Sequence, residues 1–308
     1  MAEPTTYIYK RAGGCDICAD LYMPPGAASS VPVLLWVHGG ALIMGGRESP
    51  DARVKEHALA LGAALVSIDY RLCPETVMSE LVADCLDAVS WVRGEGPRLF
   101  GADPDRVIVA GSSAGGYLAL TIGFKAEPVA AVLDIYGYGD LVRDWYSAPS
   151  PHARHALPEG VAAEYTESEA WAEVSGPPIA NSADRDGDGG LFYNWCRRHG
   201  SWPTNVSGGW DPIAHPELFH PFMAEENVTP DYPPTMMIHG DEDTDVPYEC
   251  STAMAAVFAK HGVPHELITI EGGEHGFGGA KDPAQIDAAY DRARSFMAQH
   301  WGVSAPRL

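Results

Sequence analysis

The sequence predicts an α/β fold, in which helices cover both faces of a mostly parallel central sheet. Apolar, β-branched runs alternate along the chain with segments of helical periodicity, and most of the connections between them are short. Several runs are apolar at nearly every position, as in strands buried on both faces. With 308 residues and a hydrophobic fraction of 46%, the chain is long enough for one large domain with an insertion, or for two domains.

The chain opens with a predicted antiparallel hairpin, because apolar and polar residues alternate on both sides of Gly13-Gly14. The later strands are predicted from continuous apolar runs, and the helices from apolar residues that recur with helical spacing. The predicted strands are 5–12, 15–23, 31–37, 63–68, 106–110, 129–135, 234–239 and 265–270. The predicted helices are 53–61, 75–93, 114–124, 247–261 and 283–300.

Residues 140–232 differ in character from the rest of the chain. They are rich in Trp, Pro, Gly and His, and their periodicity is weak. We therefore predict a core made of residues 1–139 and 233–308, with 140–232 as an inserted cap or lid segment. Such a segment is expected over the carboxyl ends of the strands, where sheets of this kind hold their active sites.

Charge and composition exclude several classes of partner. The formal net charge is −22, so neither nucleic acid nor an anionic membrane surface is expected to bind. The sequence has no apolar run long enough for a transmembrane helix and no visible signal peptide, which favours a cytoplasmic location. The six cysteines are scattered, so reduced and mostly buried thiols are expected rather than a disulfide framework.

Residues 107–116 combine an apolar strand, a Gly-x-Ser-x-Gly turn and the start of a helix. In that context the pentapeptide predicts a nucleophile elbow with Ser113 at its tip. Gly111 and Gly115 leave room for the tight turn, and the helix N-terminus favours negative charge that develops near the hydroxyl. The alternative is a glycine-rich turn without chemistry, so the rest of the chain must supply the partners of a nucleophile.

A serine nucleophile needs a base and a carboxylate that orients the base. The candidate base is His275, in a glycine-rich loop after the last predicted strand. The candidate acid is Asp243, in the loop after the preceding strand, with Asp241, Glu242 and Asp245 as open alternatives. The order Ser, Asp, His is the one expected when these groups stand at successive strand ends of such a sheet. The backbone N–H groups of Gly39, Gly40 and Ala114 are the candidate donors of an oxyanion hole.

These segments together resemble the α/β-hydrolase superfamily and, within it, the hormone-sensitive-lipase-like esterases of the α/β-hydrolase fold-3 type. The segments that carry the resemblance are 38–41, 69–75, 100–107, 111–116, 239–247 and 272–277. The resemblance implies Ser113 as nucleophile, His275 as base and Asp243 as acid. Three features depart from the family pattern: Ala41 replaces the third glycine and Leu42 the aromatic residue that often follows, Ser112 replaces a common acidic residue, and the variable segment lies between strands.

We therefore expect a carboxylesterase-type serine hydrolase that cleaves small, short-acyl esters through an acyl-enzyme, without a cofactor or a metal. The expected partner is a small-molecule ester, and the oligomeric state is left open. An amidase, a formamidase or an exopeptidase that uses the same triad is the alternative.

Two features of the 140–232 segment invite other interpretations. Residues 184–189 match the first half of a calcium loop, but Trp195 stands at the twelfth position, where such a loop needs a glutamate. We favour an acidic loop there and keep calcium as the alternative. The aromatic residues of 191–222 predict either a lid over the substrate or a small satellite core.

Overall fold

The computed structural model describes residues 3–26, 30–156 and 166–304. Within these ranges the chain forms eight strands. They are β1 (Thr5–Ala12), β2 (Cys15–Tyr22), β3 (Val31–Val37), β4 (Ala64–Ile68), β5 (Ala102–Ser112), β6 (Ala131–Ile135), β7 (Thr235–Gly240) and β8 (His265–Ile270).

The strands form one sheet in the order β1-β2-β4-β3-β5-β6-β7-β8. The hairpin strands β1 and β2 pair antiparallel, and β2 pairs antiparallel with β4. All the other neighbours are parallel, so the predicted mostly parallel sheet is confirmed. The carboxyl ends of β5, β7 and β8 therefore lie along the same edge, and the loops that follow them meet there.

Helices cover both faces of this sheet. In the described ranges they are α1 (Ala52–Ala60), α2 (Met78–Gly94), α3 (Gly96–Phe100), α4 (Ala114–Lys125), α5 (Asp144–Ser147), α6 (Glu167–Ala172), α7 (Gly190–His199), α8 (Trp202–Ser207), α9 (Ala224–Asn227), α10 (Glu249–His261) and α11 (Ala284–Trp301). Short 3₁₀ turns lie at Ala153–His155, Ser182–Asp184, Pro216–Leu218 and His220–Phe222.

The alternation of side chains along each strand divides the core into two layers. In β3, Val33 and Leu35 point to the layer that contains α2 and α4, whereas Leu34 and Trp36 point to the layer that contains α1 and α11. Every residue of β3 is buried. A strand covered on both faces needs apolar side chains at successive positions, which is why the sequence reads as an unbroken apolar run.

The segment between β6 and β7 contains more helix than its sequence predicts. Helices α7 and α8 are short, and each ends at a glycine with positive φ, Gly200 at 63° and Gly208 at 78°. Their buried residues include Phe192 and Trp202, which belong to the larger core layer. Helices of this length show few turns of periodicity and depend on packing for stability, so a periodicity criterion misses them.

Expectations about the inserted segment, the N-terminus, membrane helices and the cysteines can be compared only with the described residues. Residues 157–165 lie outside them, and the division into a core and the 140–232 cap stays a prediction. The expectation that no signal peptide is present rests partly on Met1 and Ala2, which also lie outside the described residues. None of the described helices is long and apolar enough to cross a bilayer. All six cysteines are free thiols, four of them buried, as expected.

Candidate active site

Ser113 stands at the turn between β5 and α4 with φ 56° and ψ −123°, a conformation that non-glycine residues rarely adopt. The two flanking glycines are required by close backbone contacts. A Cβ on Gly111 would lie 2.2 Å from the carbonyl oxygen of Gly115, and a Cβ on Gly115 would lie 2.1 Å from the carbonyl oxygen of Val37. The turn is therefore packed too closely for side chains at either position.

Ser113, His275 and Asp243 come together at the edge of the sheet. His275 Nε2 lies 3.1 Å from Ser113 Oγ, and His275 Nδ1 lies 2.7 Å from Asp243 Oδ2. Because an ionised carboxylate can only accept, Nδ1–H must donate to Asp243, which leaves Nε2 of the neutral ring free to accept the Ser113 proton. The three predicted side chains thus have the geometry of a serine nucleophile with its base and acid.

Asp243 is surrounded by hydrogen-bond donors. Its Oδ1 accepts from the backbone N–H groups of Asp245 and Val246, at 2.8 and 2.9 Å. Its Oδ2 lies 3.3 Å from Nε2 of the buried His239 as well as against His275. Burial raises the pKa of Asp243, but the hydrogen bonds from His239 and His275 outweigh burial and bring the pKa to about 2. Asp243 therefore stays ionised at neutral pH.

His239 has a supporting position that the sequence analysis did not assign. Its Nε2 faces two acceptors, the carbonyl of Val246 at 2.9 Å and Asp243, so Nε2 carries the proton. Its Nδ1 then accepts from the Ser251 hydroxyl at 2.7 Å. A histidine four residues before the acid, at the end of a strand, was the available signal for this contact.

The acid loop and the histidine loop are joined directly to each other. A Cβ on Gly240 would lie 2.0 Å from the carbonyl oxygen of Gly273, so the two backbones touch. Gly272 N–H donates to Asp241 at 2.6 Å, and the Thr244 hydroxyl donates to Glu274 at 2.8 Å. Asp241, one of the alternative acids, thus holds the histidine loop instead of the imidazole.

Residues 38–42, called here the oxyanion loop because they carry two of the predicted oxyanion donors, have an unusual backbone. Gly40 has φ 111°, and the next two residues, Ala41 and Leu42, also have positive φ, at 56° and 65°. Among the described residues, none accepts a hydrogen bond from the N–H groups of Gly39, Gly40 or Ala114. These are the groups that the sequence predicts as oxyanion donors, and they lie around Ser113, since a Cβ on Gly39 would be 3.3 Å from Ser113 Cβ.

Three residues outside that loop donate hydrogen bonds to its backbone carbonyls. The Tyr70 hydroxyl donates to the His38 carbonyl at 3.0 Å, and the two rings stack at 4.2 Å. Cys73 N–H donates to the Leu42 carbonyl at 2.8 Å. Trp202, from the segment between β6 and β7, donates its indole N–H to the Ala41 carbonyl at 3.0 Å. Burial lowers the pKa of His38 to about 4, so this ring is neutral and acts in packing.

Asp245, another alternative acid, lies on the other side of the imidazole. Its Oδ2 is 3.7 Å from His275 Nε2. Its Oδ1 accepts from His155 Nε2 at 2.8 Å, the Tyr193 hydroxyl at 2.5 Å and Arg197 at 3.1 Å. Burial raises the pKa of Asp245, but His155, His275 and Arg197 together hold it well below its usual range. The sequence predicts Asp245 only as an alternative acid. Its position beside His275 Nε2 was not predicted, because its partners are distant in sequence.

A cavity of about 700 Å³ opens beside the oxyanion loop. Gly39 and Gly40 line one side of it, and residues 185–188 line another. The latter belong to the candidate calcium segment, which Arg185 ties to the core through Glu75 at 2.8 Å and the Cys73 carbonyl at 2.9 Å. The part of the chain that is described contains no group of three or more His, Cys, Asp or Glu residues suited to a metal ion.

Several other charged and aromatic residues form contacts that stabilise the fold. Arg71 forms an ion pair, with its Nε 2.8 Å from the buried Asp84. His215 and His220 are exposed, and His199 contacts the Trp195 carbonyl at 2.7 Å. Several aromatic residues of 191–222 pack in the main core, which supports the structural interpretation of that cluster.

Sequence comparison decides the family. Residues 34–184 match the family model of the α/β hydrolase fold, and residues 189–304 match that of the prolyl oligopeptidase family. The chain belongs to the α/β-hydrolase superfamily. The resemblance drawn from the motifs is therefore confirmed at that level, together with the fold.

Three solved structures superimpose over nearly the whole chain. A Staphylococcus aureus protein of unknown function is 20% identical with a TM-score of 0.75, covering 96% of this chain and 99% of its own. A truncated carbohydrate esterase from gut microbiota is 17% identical with a TM-score of 0.69, covering 97% of each. A butyrate-bound esterase from Thermogutta terrifontis is 20% identical with a TM-score of 0.65, covering 99% of this chain and 97% of its own. At these identities the likeness shows the fold alone.

Curated relatives of this α/β-hydrolase are much larger proteins. The non-reducing polyketide synthase pkbA of Emericella nidulans is 30% identical over 89% of this chain and 13% of its own length. The non-reducing polyketide synthase adrD of Penicillium rubens is 30% identical over 96% of this chain and 14% of its own length. The chain thus spans about one seventh of the relatives it matches, so their activities do not transfer to it directly.

Proposed function

We propose that this α/β-hydrolase cleaves small, short-acyl carboxylic esters through an acyl-enzyme on Ser113. The observation that carries the proposal is the chain of contacts from Ser113 Oγ through the His275 ring to Asp243. No group other than these side chains and backbone N–H groups is needed for the reaction. Two structural neighbours, named as a carbohydrate esterase and as a butyrate-bound esterase, agree with this substrate class.

The proposed reaction begins when His275 Nε2 takes the proton of Ser113 as Oγ attacks the ester carbonyl. The negative charge that develops on the carbonyl oxygen is held by the N–H groups of Gly39, Gly40 and Ala114. The imidazolium gives its proton to the leaving alcohol, and water then cleaves the acyl-enzyme by the same route. Asp243 holds the ring in the required tautomer and stabilises its positive charge throughout.

The surroundings of the site favour a small substrate without negative charge. The cavity beside the oxyanion loop, about 700 Å³, is in the range of small-molecule sites. Its lining includes Glu48, Asp186 and Asp188, and the whole chain has a net charge of −22. Anionic acyl groups are disfavoured by this field.

Replacement of the nucleophile tests the proposal. Ser113→Ala removes the attacking oxygen, so kcat for a short-acyl p-nitrophenyl ester should fall by at least about 10³-fold. Thermal unfolding should stay close to that of the unsubstituted chain, because alanine is smaller and is tolerated in the fold. Activity that survives within about tenfold would show that Ser113 is not the nucleophile.

An amidase, formamidase or exopeptidase is the second candidate, and the match of residues 189–304 to the prolyl oligopeptidase family favours it. The same triad attacks amides, but amide cleavage additionally needs a proton delivered early to the poor leaving amine. Matched p-nitrophenyl ester and p-nitroanilide substrates with one acyl group separate the two. We expect the ester to be cleaved and the anilide to react at least about 10³-fold more slowly.

A further inference from the structure

Beside His275 Nε2, the atom that protonates the leaving alcohol in the proposed reaction, lies an acceptor for which that mechanism has no use. Asp245 Oδ2 lies 3.7 Å from His275 Nε2, beyond hydrogen-bond length. Arg154 approaches Oδ2 only to 4.0 Å and instead donates to Glu274 at 3.0 Å. Within residues 3–26, 30–156 and 166–304, no donor forms a hydrogen bond to this oxygen.

The other oxygen of the same carboxylate is fully used. Oδ1 accepts from His155, Tyr193 and Arg197. His155 is itself oriented by the Ser150 hydroxyl at 2.6 Å, which leaves its Nε2–H for Asp245. Three donors on Oδ1 fix the orientation of the carboxylate, so Oδ2 is presented toward His275 as a positioned acceptor. The side chain is 13% exposed, so a ligand in the active site can reach it.

Its place relative to the reaction identifies which part of the substrate it faces. His275 Nε2 must come within about 3 Å of the leaving-group oxygen when it delivers the proton. Asp245 Oδ2 is then no more than about 7 Å from that oxygen. A donor group one or two carbons along the alcohol spans this distance.

We propose that Asp245 selects esters whose alcohol portion carries a hydroxyl group close to the ester oxygen, and that Oδ2 accepts the hydrogen bond from that hydroxyl. Polyol and sugar esters are the substrate class that fits. A neutral donor is favoured over a cation, because Arg197 and Arg154 already place two positive charges near the carboxylate. This inference rests on the proposed esterase function and adds the identity of the alcohol.

A matched pair of substrates tests it. 2-Hydroxyethyl acetate and n-propyl acetate have the same length and differ in one terminal hydroxyl. The unsubstituted chain should cleave the hydroxyethyl ester with a kcat/KM about tenfold or more above that of the propyl ester, as expected for one charge-assisted hydrogen bond. Acetylcholine carries a cation without a hydrogen-bond donor, and 3,3-dimethylbutyl acetate is its uncharged analogue. The kcat/KM for acetylcholine should not exceed that for the analogue.

Asp245→Asn should abolish the preference. The amide oxygen takes the place of Oδ1 among the three donors, which leaves the NH₂ group, a donor, at the place of Oδ2. The ratio of the two kcat/KM values should fall to about 1, with the larger loss on the hydroxyethyl ester. The control Glu242→Gln makes the same carboxylate-to-amide change at an exposed position of the same loop and should leave both rates and their ratio unchanged.

The outcomes separate this inference from the function on which it rests. If neither ester is cleaved, the esterase function fails. If both are cleaved with a ratio of about 1 in the unsubstituted chain, the alcohol preference alone is wrong, and this result does not depend on any variant folding. An equal loss on both esters in Asp245→Asn would assign the carboxylate to the electrostatics of His275 instead. A preference for acetylcholine would assign it to recognition of charge.

Discussion

The carboxylates of Asp243 and Asp245, two positions apart in the chain, lie at different nitrogens of the His275 ring. Asp243 contacts Nδ1 at 2.7 Å, and Asp245 approaches Nε2 to 3.7 Å. The first distance is a hydrogen bond that sets the tautomer, whereas the second is too long for a hydrogen bond, so Asp245 Oδ2 keeps its capacity to accept one. Each carboxylate is oriented by donors on its other oxygen, so neither is free to exchange its role with its neighbour.

Asp243→Asn should lower kcat strongly without unfolding the protein. The amide oxygen keeps the backbone donors of Asp245 and Val246, so the NH₂ group faces His275 Nδ1. It then donates to Nδ1 and forces the proton onto Nε2, which can no longer accept from Ser113. We expect kcat for a short-acyl ester to fall about 10³–10⁴-fold with little change in KM.

The matched control for this substitution is Glu242→Gln. It removes one charge from the adjacent, exposed position and should keep full activity. A kcat for Asp243→Asn within about tenfold of the unsubstituted chain would mean that another group orients His275.

The sequence points to residues whose proposed function is tied to a local sequence pattern. Ser113 stands between its glycines, and His275 and Asp243 follow strand ends, so each could be predicted. Asp245 could not be distinguished, because four acids share one turn and its partner His155 lies 90 residues away along the chain. Contacts of that separation are products of tertiary packing and leave no mark on local sequence.

At the scale of elements, the site depends on how closely β3, β5 and α4 approach one another. The turn from β5 into α4 passes against the end of β3, where Gly115 meets the carbonyl of Val37. Glycine at 115 is thus a packing requirement of the elbow as well as a conformational one. Strands and helices of the sheet were predicted to within a few residues, because continuous apolar runs and helical spacing are strong signals.

Gly115→Ala should destabilise the fold and abolish activity together. The new methyl carbon would lie 2.1 Å from the Val37 carbonyl oxygen and 2.6 Å from that of His38, so α4 must move away from β3. We expect the free energy of unfolding to fall by about 3 kcal/mol in urea denaturation.

Gly94→Ala is the control for that measurement. Gly94 is the last residue of α2 and is exposed, with open space around it, so alanine should keep or raise stability by up to about 1 kcal/mol. Equal stability of the two variants would show that the contact at Gly115 relaxes without cost.

The short helices between β6 and β7 mark the limit of sequence reasoning at this scale. Trp202 and Phe192 are buried among residues far away in the chain. Their helices are stabilised by that packing and by glycine ends, so neither length nor periodicity revealed them.

At the scale of the whole molecule, the charge balance should make stability depend on salt. The net charge of −22 produces repulsion among exposed carboxylates in the folded state, and we expect this repulsion to outweigh the exposed ion pairs. Added sodium chloride screens exposed charges, so the Tm should rise by a few degrees between about 10 mM and 500 mM salt at pH 7. A Tm that falls over this range would show that the surface ion pairs dominate instead.

The indole of Trp202 that holds the Ala41 carbonyl has a consequence for protein engineering. The segment between β6 and β7, the proposed cap that would be exchanged to alter substrate range, also supports the loop of the proposed oxyanion donors. A segment grafted from another hydrolase would have to supply its own donor to the Ala41 carbonyl. It would also need a side chain that donates to Asp245 as Arg197 does. Substrate range and turnover are therefore expected to evolve together in this chain.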